Sequence, residues 1–159
     1  GFGGHKLAAG VRLEPNQLER FREAFEQVVA DELGEQPLTP ALLLECELDF
    51  QQASDSAFLQ ELELMQPFGA GNAEPVFASP ELTVVDRSPL GYSGDHVRLR
   101  LKDSASGITL MAKGWNMATA FPPSSVGSRI RVAYTPRLDY YRGVASIDVG
   151  IKDWQPVTD

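Results

Sequence analysis

The second half of the chain consists of short segments in which apolar and polar residues alternate, and these segments limit the possible folds more than any other feature. Alternation with a period of two places every second side chain in a core, which is typical of a half-buried β-strand. Glycine-containing segments that favour turns separate the strands. Five strands are predicted, at residues 82–87, 97–101, 108–113, 129–137 and 144–154.

An interruption between the third and fourth strands indicates how the strands are connected. Residues 115–120 are apolar and can form a helical turn, which Pro122 and Pro123 end. Five strands with one interruption at this position match the strand order of an OB-fold barrel. A small Greek-key barrel of another kind would give much the same pattern, so both folds remain open.

The first half of the chain is predicted to be mainly helical. Residues 18–33 carry apolar side chains at three- and four-residue spacing and are followed by Gly34, which ends the helix. A strand is predicted at 42–50, and a second helix follows with Ser54 or Asp55 as its cap. The predicted fold class is α+β: an α/β segment followed by a five-stranded OB-fold-like β-barrel. The predicted divisions of the chain are 1–36, 37–75 and 76–159.

The net charge of −8 conceals an uneven distribution of charged residues. Residues 1–80 contain four Lys/Arg and fourteen Asp/Glu, whereas residues 87–142 contain nine Lys/Arg and three Asp. A basic segment within an acidic chain can recognise phosphate electrostatically. An ordinary solvated β-surface explains the same charges equally well.

Other features of the composition exclude several classes of protein. The longest apolar runs fall far short of the roughly 20 residues that a membrane span needs, and no secretory signal is recognised. The single cysteine, Cys46, excludes an internal disulfide and is expected to be a small core residue. These features predict a cytoplasmic protein with no membrane partner.

The first candidate site is a glycine-histidine motif at the start of the chain. Gly3 and Gly4 lack a Cβ, so the backbone can approach a phosphate closely, and His5 can donate a hydrogen bond to a phosphate oxygen. The motif alone is also compatible with a tight turn and a core-facing histidine, which is the more common arrangement.

The second candidate site is a basic and aromatic surface on the predicted barrel. Three cations, Arg98, Arg100 and Lys102, alternate with apolar residues and therefore share one face of a strand. Such a face can follow a sugar-phosphate backbone while aromatic side chains stack on bases. The other candidates are Lys113, Trp115, Arg129, Arg131, Tyr140, Tyr141 and Arg142, with Tyr92 as a further stacking candidate. In the competing interpretation, the cations are ordinary surface residues, and Trp115 and a tyrosine fill the barrel.

The glycine-rich loop at residues 66–77 is predicted to be structural. Its glycines lack the Lys-Ser/Thr of a phosphate-binding loop. We expect Phe68 and Phe77 to anchor the loop and to hold the second helix against the first strand of the barrel. Direct contact with nucleic acid is the alternative.

Catalytic machinery is not recognised in the sequence. His5 and His96 are the only histidines, and no His, Cys or carboxylate residues have the spacing of metal ligands. We therefore expect this chain alone to be inactive as a hydrolase and to bind no metal.

Three segments carry a resemblance to a known family. The sequence GGHKLAAG at residues 3–10 resembles the signature at the end of a DHHA1 domain, which belongs to the DHH phosphoesterase superfamily. The loop at 67–77 is similar to the bridge into the OB domain of the RecJ family, and residues 134–156 resemble the end of bacterial RecJ proteins. The chain is identified as a member of that family: residues 1–36 as the end of DHHA1, 37–75 as the bridge and 76–159 as the OB domain.

The resemblance implies a function for the longer protein. RecJ-family proteins are metal-dependent 5′ to 3′ exonucleases specific for single-stranded DNA, act in DNA repair and recombination, and use Mn²⁺ or Mg²⁺ held in an N-terminal DHH domain. This chain contains no Asp-His-His triplet and is expected to be a C-terminal fragment. The resemblance assigns substrate phosphate binding to Gly3, Gly4 and His5, and guidance of single-stranded DNA to the barrel.

Two alternatives to this function remain. The barrel could be an interaction module that docks a single-strand-binding protein or a helicase. A short-RNA or cyclic-dinucleotide phosphodiesterase fits less well, because such proteins end soon after the glycine-histidine domain.

Overall fold

The computed structural model describes residues 1–6, 8–34, 40–140, 143 and 145–158. These residues form two compact units, Gly1–Ala41 and Leu42–Asp159. The prediction that residues 37–75 form a separate bridging segment stays a prediction, but residues 42–75 belong to the same unit as the barrel.

The described residues of the first unit form a hairpin, a short 3-10 helix (Pro15–Gln17) and one α-helix. Strands β1 (Phe2–His5) and β2 (Ala8–Val11) pair antiparallel, and helix α1 spans Leu18–Leu33. The predicted first helix is therefore confirmed. Gly34 follows it with a positive φ of 63° and donates its N–H to the Ala30 carbonyl oxygen, which explains why the helix stops at a glycine.

The second unit is a closed barrel with one helix. The strands of its ring are β4 (Leu82–Leu90), β5 (His96–Asp103), β6 (Thr109–Gly114), β7 (Arg129–Asp139) and β8 (Ser146–Pro156). They follow one another around the ring in the order β4, β5, β6, β8 and β7, and β7 pairs with β4 to close it. The β6–β8 pair is parallel, whereas the other neighbours in the ring are antiparallel. This ring confirms the predicted OB-like barrel. Strand β3 (Phe77–Ala78) lies outside the ring beside β7.

The barrel interior is filled by the apolar set of the alternating strands. On β5, Val97, Leu99 and Leu101 are fully buried, and burial of each such side chain contributes about 1.5–3 kcal/mol. Three large aromatic residues, Phe50, Phe121 and Tyr134, are also fully buried. Trp115 is not part of this core, so the interpretation in which it fills the barrel is wrong.

Helix α2 (Ser56–Leu64) lies against the barrel, and its start is as predicted. The Asp55 carboxylate accepts a hydrogen bond from the Ala57 N–H at 2.8 Å, which caps the helix. Phe58 of this helix contacts Phe77, with ring centroids 6.0 Å apart. Phe77 pairs with Tyr134, so the loop before it joins α2 to β7 rather than to the first strand of the ring.

The segment at 42–50 is not the regular strand that its alternation predicts. Within it, Glu47 alone forms a bridge, to Ala78, because its neighbour β3 is two residues long. Cys46, predicted to be a core residue, is exposed, whereas Leu48 and Phe50 of the same segment are buried in the core. Residues 115–120 also differ from the prediction, because they form turns and no helix.

Candidate nucleic-acid interface

Three cations on the outside of β5 form the centre of the candidate interface. Arg98, Arg100 and Lys102 are exposed, as predicted, because the apolar residues between them point into the barrel. At roughly 3.4 Å per residue, the three positions span about 14 Å along the strand. No hydrogen bond or ion pair engages their side chains among the residues that the structure describes. We call these three residues the β5 face.

The residues beside the β5 face are mostly uncharged. Arg98 lies opposite Ser88 on β4, and Lys102 lies between Thr83 on β4 and Thr109 on β6. Only Arg100 has an acidic register partner, Asp86, and no ion pair joins the two side chains. The β5 face therefore keeps its positive charge available for a ligand.

Lys113 on β6 lies beside Arg98 in the strand register, yet its environment differs. Its ammonium is 2.9 Å from an Asp148 carboxylate oxygen and 3.9 Å from one of Asp139. The charge of Lys113 is therefore largely balanced within the protein.

The two predicted cations of β7 are also paired. Arg129 is 3.2 Å from Glu81, and Arg131 is 3.6 Å from Glu47. Thr83 lies between Arg129 and Lys102, so Arg129 continues the row of the β5 face across β4. The structure brings these cations to the same barrel surface but gives them acidic partners.

Trp115 follows β6 and is 57% exposed. The His96 ring contacts it edge to face, with centroids 4.8 Å apart. His96 Nδ1 accepts a hydrogen bond of 3.0 Å from the backbone N–H of Asn116, which has a positive φ of 57°. These contacts fix the turn and leave the indole exposed, and sequence reasoning did not identify these contacts of His96.

The remaining aromatic candidates lie in loops. Tyr92, in the loop between β4 and β5, is fully exposed, and Tyr140, directly after β7, is also exposed. Tyr141 and Arg142 fall outside the described residues.

The glycine-histidine motif forms strand β1 of the first unit. Gly3, Gly4 and His5 are all exposed, so His5 does not face a core. A Cβ on Gly4 would lie 2.8 Å from the backbone of Ala8 and Ala9, which explains the requirement for glycine in this narrow hairpin. The role of the three residues in phosphate binding stays a prediction.

A second group of cations was not predicted. Arg137 and Lys152 both pair with Glu74, and the Lys152 ammonium is 3.0 Å from the carboxylate. Burial raises the pKa of Glu74, but the hydrogen bonds and charges of Arg137 and Lys152 outweigh burial and lower it. Arg137 continues the period of two from Arg129 and Arg131, so alternation could have identified it. Its pairing with a loop residue 63 positions away could not be inferred.

Asp103, at the end of β5, is the one fully buried carboxylate among the described residues. It accepts hydrogen bonds from the Phe50 and Ala105 N–H groups and from the Ser106 hydroxyl, at 3.2, 2.8 and 2.7 Å. Burial raises the pKa of Asp103, but these hydrogen bonds outweigh it and lower the pKa. Asp103 is therefore structural: it fixes the turn after β5 and ties residue 50 to the barrel.

No group of three or more His, Cys, Asp and Glu side chains among the described residues could hold a metal ion. No described helix is both long enough and apolar enough to cross a membrane.

Known proteins are similar to this chain over nearly its whole length. A single-stranded-DNA-specific exonuclease RecJ from Haemophilus influenzae is 28% identical over 161 residues, which cover 99% of this chain and 27% of the relative. The Bacillus subtilis protein of the same name is 21% identical, and the aligned region covers 19% of that protein. The chain thus spans about a quarter or less of the length of these relatives.

Solved structures support the same fold. RecJ from Thermus thermophilus, crystallised in complex with Mn²⁺, superposes with a TM-score of 0.69 at 24% identity, covering 99% of this chain and 22% of that one. The same enzyme in complex with Mg²⁺ gives a TM-score of 0.68. Residues 44–153, most of the barrel unit, match the family model described as the RecJ OB domain. The chain therefore belongs to the RecJ OB domain family.

Proposed function

We propose that this chain is the C-terminal, substrate-guiding part of a RecJ-like 5′ to 3′ exonuclease and that its barrel binds single-stranded DNA. The observation that carries the proposal is the β5 face, whose three exposed cations have no partners among the described residues. The similarity to proteins named single-stranded-DNA-specific exonucleases supports the choice of ligand.

The proposed mode of binding combines charge with stacking. Arg98, Arg100 and Lys102 contact successive phosphates, and exposed aromatic residues stack on the bases. Bases are free to stack on protein only where they are not paired, so the barrel selects single strands. Tyr92, Trp115 and Tyr140 are the stacking candidates whose exposure the structure describes. Lys113, Arg129 and Arg131 contribute less, because each already has a carboxylate partner. Tyr141 and Arg142 complete the proposed set.

Hydrolysis is assigned to another part of the longer protein. In this proposal, another part of the longer protein would hold Mn²⁺ or Mg²⁺, which would activate the nucleophile of phosphodiester hydrolysis there. We assign to Gly3, Gly4 and His5 the binding of a substrate phosphate. The role in DNA repair and recombination, and the cytoplasmic location, belong to the same proposal.

One observation favours the second candidate function, a protein-interaction module. Leu42, Leu43 and Leu44 form an exposed apolar run outside the barrel, and Leu43 is 87% exposed. Exposed apolar groups of this kind are common in protein interfaces. A single-strand-binding protein or a helicase is the partner class in this alternative.

Charge reversal separates the two functions. We expect the double variant Arg98→Glu, Arg100→Glu to lose affinity for single-stranded DNA and to keep affinity for a protein partner. The matched control is Arg20→Glu, Arg22→Glu, which makes the same change in charge at two exposed positions of α1. Equal DNA affinity of the β5 variant and the control would contradict the proposal, and loss of partner binding alone would favour the interaction module.

A further inference from the structure

A hollow on the outside of β8 is the second feature of the barrel that can accept a ligand. Its floor is Gly150, which lies between Lys113 on β6 and Thr135 on β7 in the strand register. The hollow has a volume of about 340 Å³, within the range of roughly 300–1,000 Å³ that is usual for small-molecule sites. Residues around it include Trp115, Thr135, Arg137, Asp148, Gly150 and Lys152. We call it the β8 hollow.

Thr135 gives the β8 hollow an unused polar group. The residue is only 3% exposed, and its hydroxyl has no hydrogen-bond partner among the described residues. A Cβ on Gly150 would lie 3.1 Å from the Thr135 Oγ1, so a side chain there would cover the hydroxyl. No buried side-chain oxygen or nitrogen of the described residues lacks a hydrogen-bond partner, so the Thr135 hydroxyl is open to the hollow and can bond a ligand there.

The other groups around the hollow are already held in place. Asp148 is 2.9 Å from Lys113, and Glu74 holds Arg137 and Lys152 together at the rim. Trp115 supplies an exposed aromatic surface at the same hollow. The arrangement combines an aromatic surface with an accessible hydroxyl, which suits a planar ring with a polar edge.

We propose that the β8 hollow takes one base of a bound single strand. The base stacks on Trp115 and hydrogen-bonds the Thr135 hydroxyl. The site continues the β5 face, because Arg98, Lys113, Gly150 and Thr135 follow one another in the strand register around the barrel. This inference rests on the proposed binding of single-stranded DNA. It adds a contact to a base, whereas the β5 face contacts phosphates.

The test compares Thr135→Val, which removes the hydroxyl and keeps the branched shape, with Thr135→Ser, which keeps a hydroxyl. Two labelled single-stranded oligonucleotides of about 16 nucleotides are used, one of deoxycytidine and one of the same length with abasic residues throughout. Affinities are measured by fluorescence anisotropy, and thermal unfolding checks that each variant folds.

We expect wild type to bind the deoxycytidine strand more tightly than the abasic strand. Thr135→Val should weaken binding of the deoxycytidine strand by about 2- to 10-fold and leave binding of the abasic strand unchanged, and Thr135→Ser should restore it. Equal affinity of folded Thr135→Val and wild type for the deoxycytidine strand would overturn the base site alone. Absence of wild-type binding to both strands would overturn the proposed function and, with it, the base site.

Discussion

Arg98 and Lys113 are register partners on neighbouring strands, yet only Lys113 is neutralised, by Asp148 at 2.9 Å. The two cations look alike in the sequence and differ in the charge that they can offer to a ligand. The number of Lys and Arg residues on the barrel therefore overstates its capacity to bind phosphate, and pairing decides which of them matter.

Single neutralisations test this difference directly. We expect Arg98→Gln to reduce the salt dependence of single-strand binding by about 0.7 in the log–log slope, the value for one lost phosphate contact. Lys113→Gln removes the same charge and should leave the slope nearly unchanged. Anisotropy titrations at several salt concentrations measure both slopes, and a larger effect of Lys113→Gln would contradict the assignment.

Trp115 should report the bound strand by its fluorescence. Two tryptophans are present, and Trp154 packs against Phe121 with centroids 4.7 Å apart, whereas Trp115 is exposed. We expect a single-stranded oligonucleotide to quench the fluorescence of Trp154→Phe and to leave that of Trp115→Phe unchanged. Trp115→Ala should lower affinity by about 1–3 kcal/mol. Quenching that persists in Trp115→Phe would show that the strand lies elsewhere.

Asp103 should contribute to stability in a pH-dependent way. Asp103→Asn turns an amide N–H₂ toward donors that need an acceptor, so we expect a loss of about 1–3 kcal/mol in the free energy of unfolding, measured by urea denaturation. The folded pKa of Asp103 lies below its ordinary value, so its contribution is complete above the unfolded pKa of about 3.9 and is lost as the pH falls through the folded pKa.

The variant should therefore lose less stability than wild type on acidification below about pH 4. Glu74→Gln is the matched control. It also removes a carboxylate whose pKa is lowered in the folded protein, but it leaves Asp103 and the pH-dependent contribution of Asp103 to stability in place. Parallel pH profiles of wild type and Asp103→Asn would contradict the role given to Asp103.

Tyr134 links the 42–50 segment to the barrel through one hydrogen bond. Its hydroxyl donates to the Leu48 carbonyl oxygen at 2.8 Å, and burial, followed by the charges of Asp49 and Asp103, raises the pKa of Tyr134. Tyr134→Phe keeps the ring and leaves the carbonyl without this donor, so we expect a loss of about 1–3 kcal/mol in stability. Binding of single-stranded DNA should not change, because the hydroxyl is inside the barrel. An unchanged free energy of unfolding would mean that the hydrogen bond contributes nothing.

Sequence periodicity predicted those helices and strands whose structure follows from the spacing of their own apolar residues. Alternation identified β5 and its exposed cations, and three- and four-residue spacing identified α1, because these periods follow from strand and helix geometry. The 42–50 segment alternates as well, yet it forms one bridge, since its neighbour provides only two strand residues. Periodicity predicts which face of a segment is apolar, but it does not predict how many residues of a neighbouring strand are available for pairing.

Local sequence patterns could not predict which distant residues form ion pairs. Arg131 and Glu47 meet across 84 positions of the chain, and Lys113 and Asp148 across 35. The hollow over Gly150 likewise depends on three strands that the ring brings together. The residue types of the interface could therefore be predicted, whereas the subset free to bind a ligand required the structure.

The most direct test of the central claim is the affinity of this chain for a single-stranded oligonucleotide of about 16 nucleotides and for the matching duplex, by anisotropy from about 50 to 200 mM salt. With three phosphate contacts on the β5 face, we predict preference for the single strand and a log–log slope near −2, from about −0.7 per contact. No binding at the lowest salt, or equal affinity for the duplex, would contradict the claim that the β5 face binds single-stranded DNA.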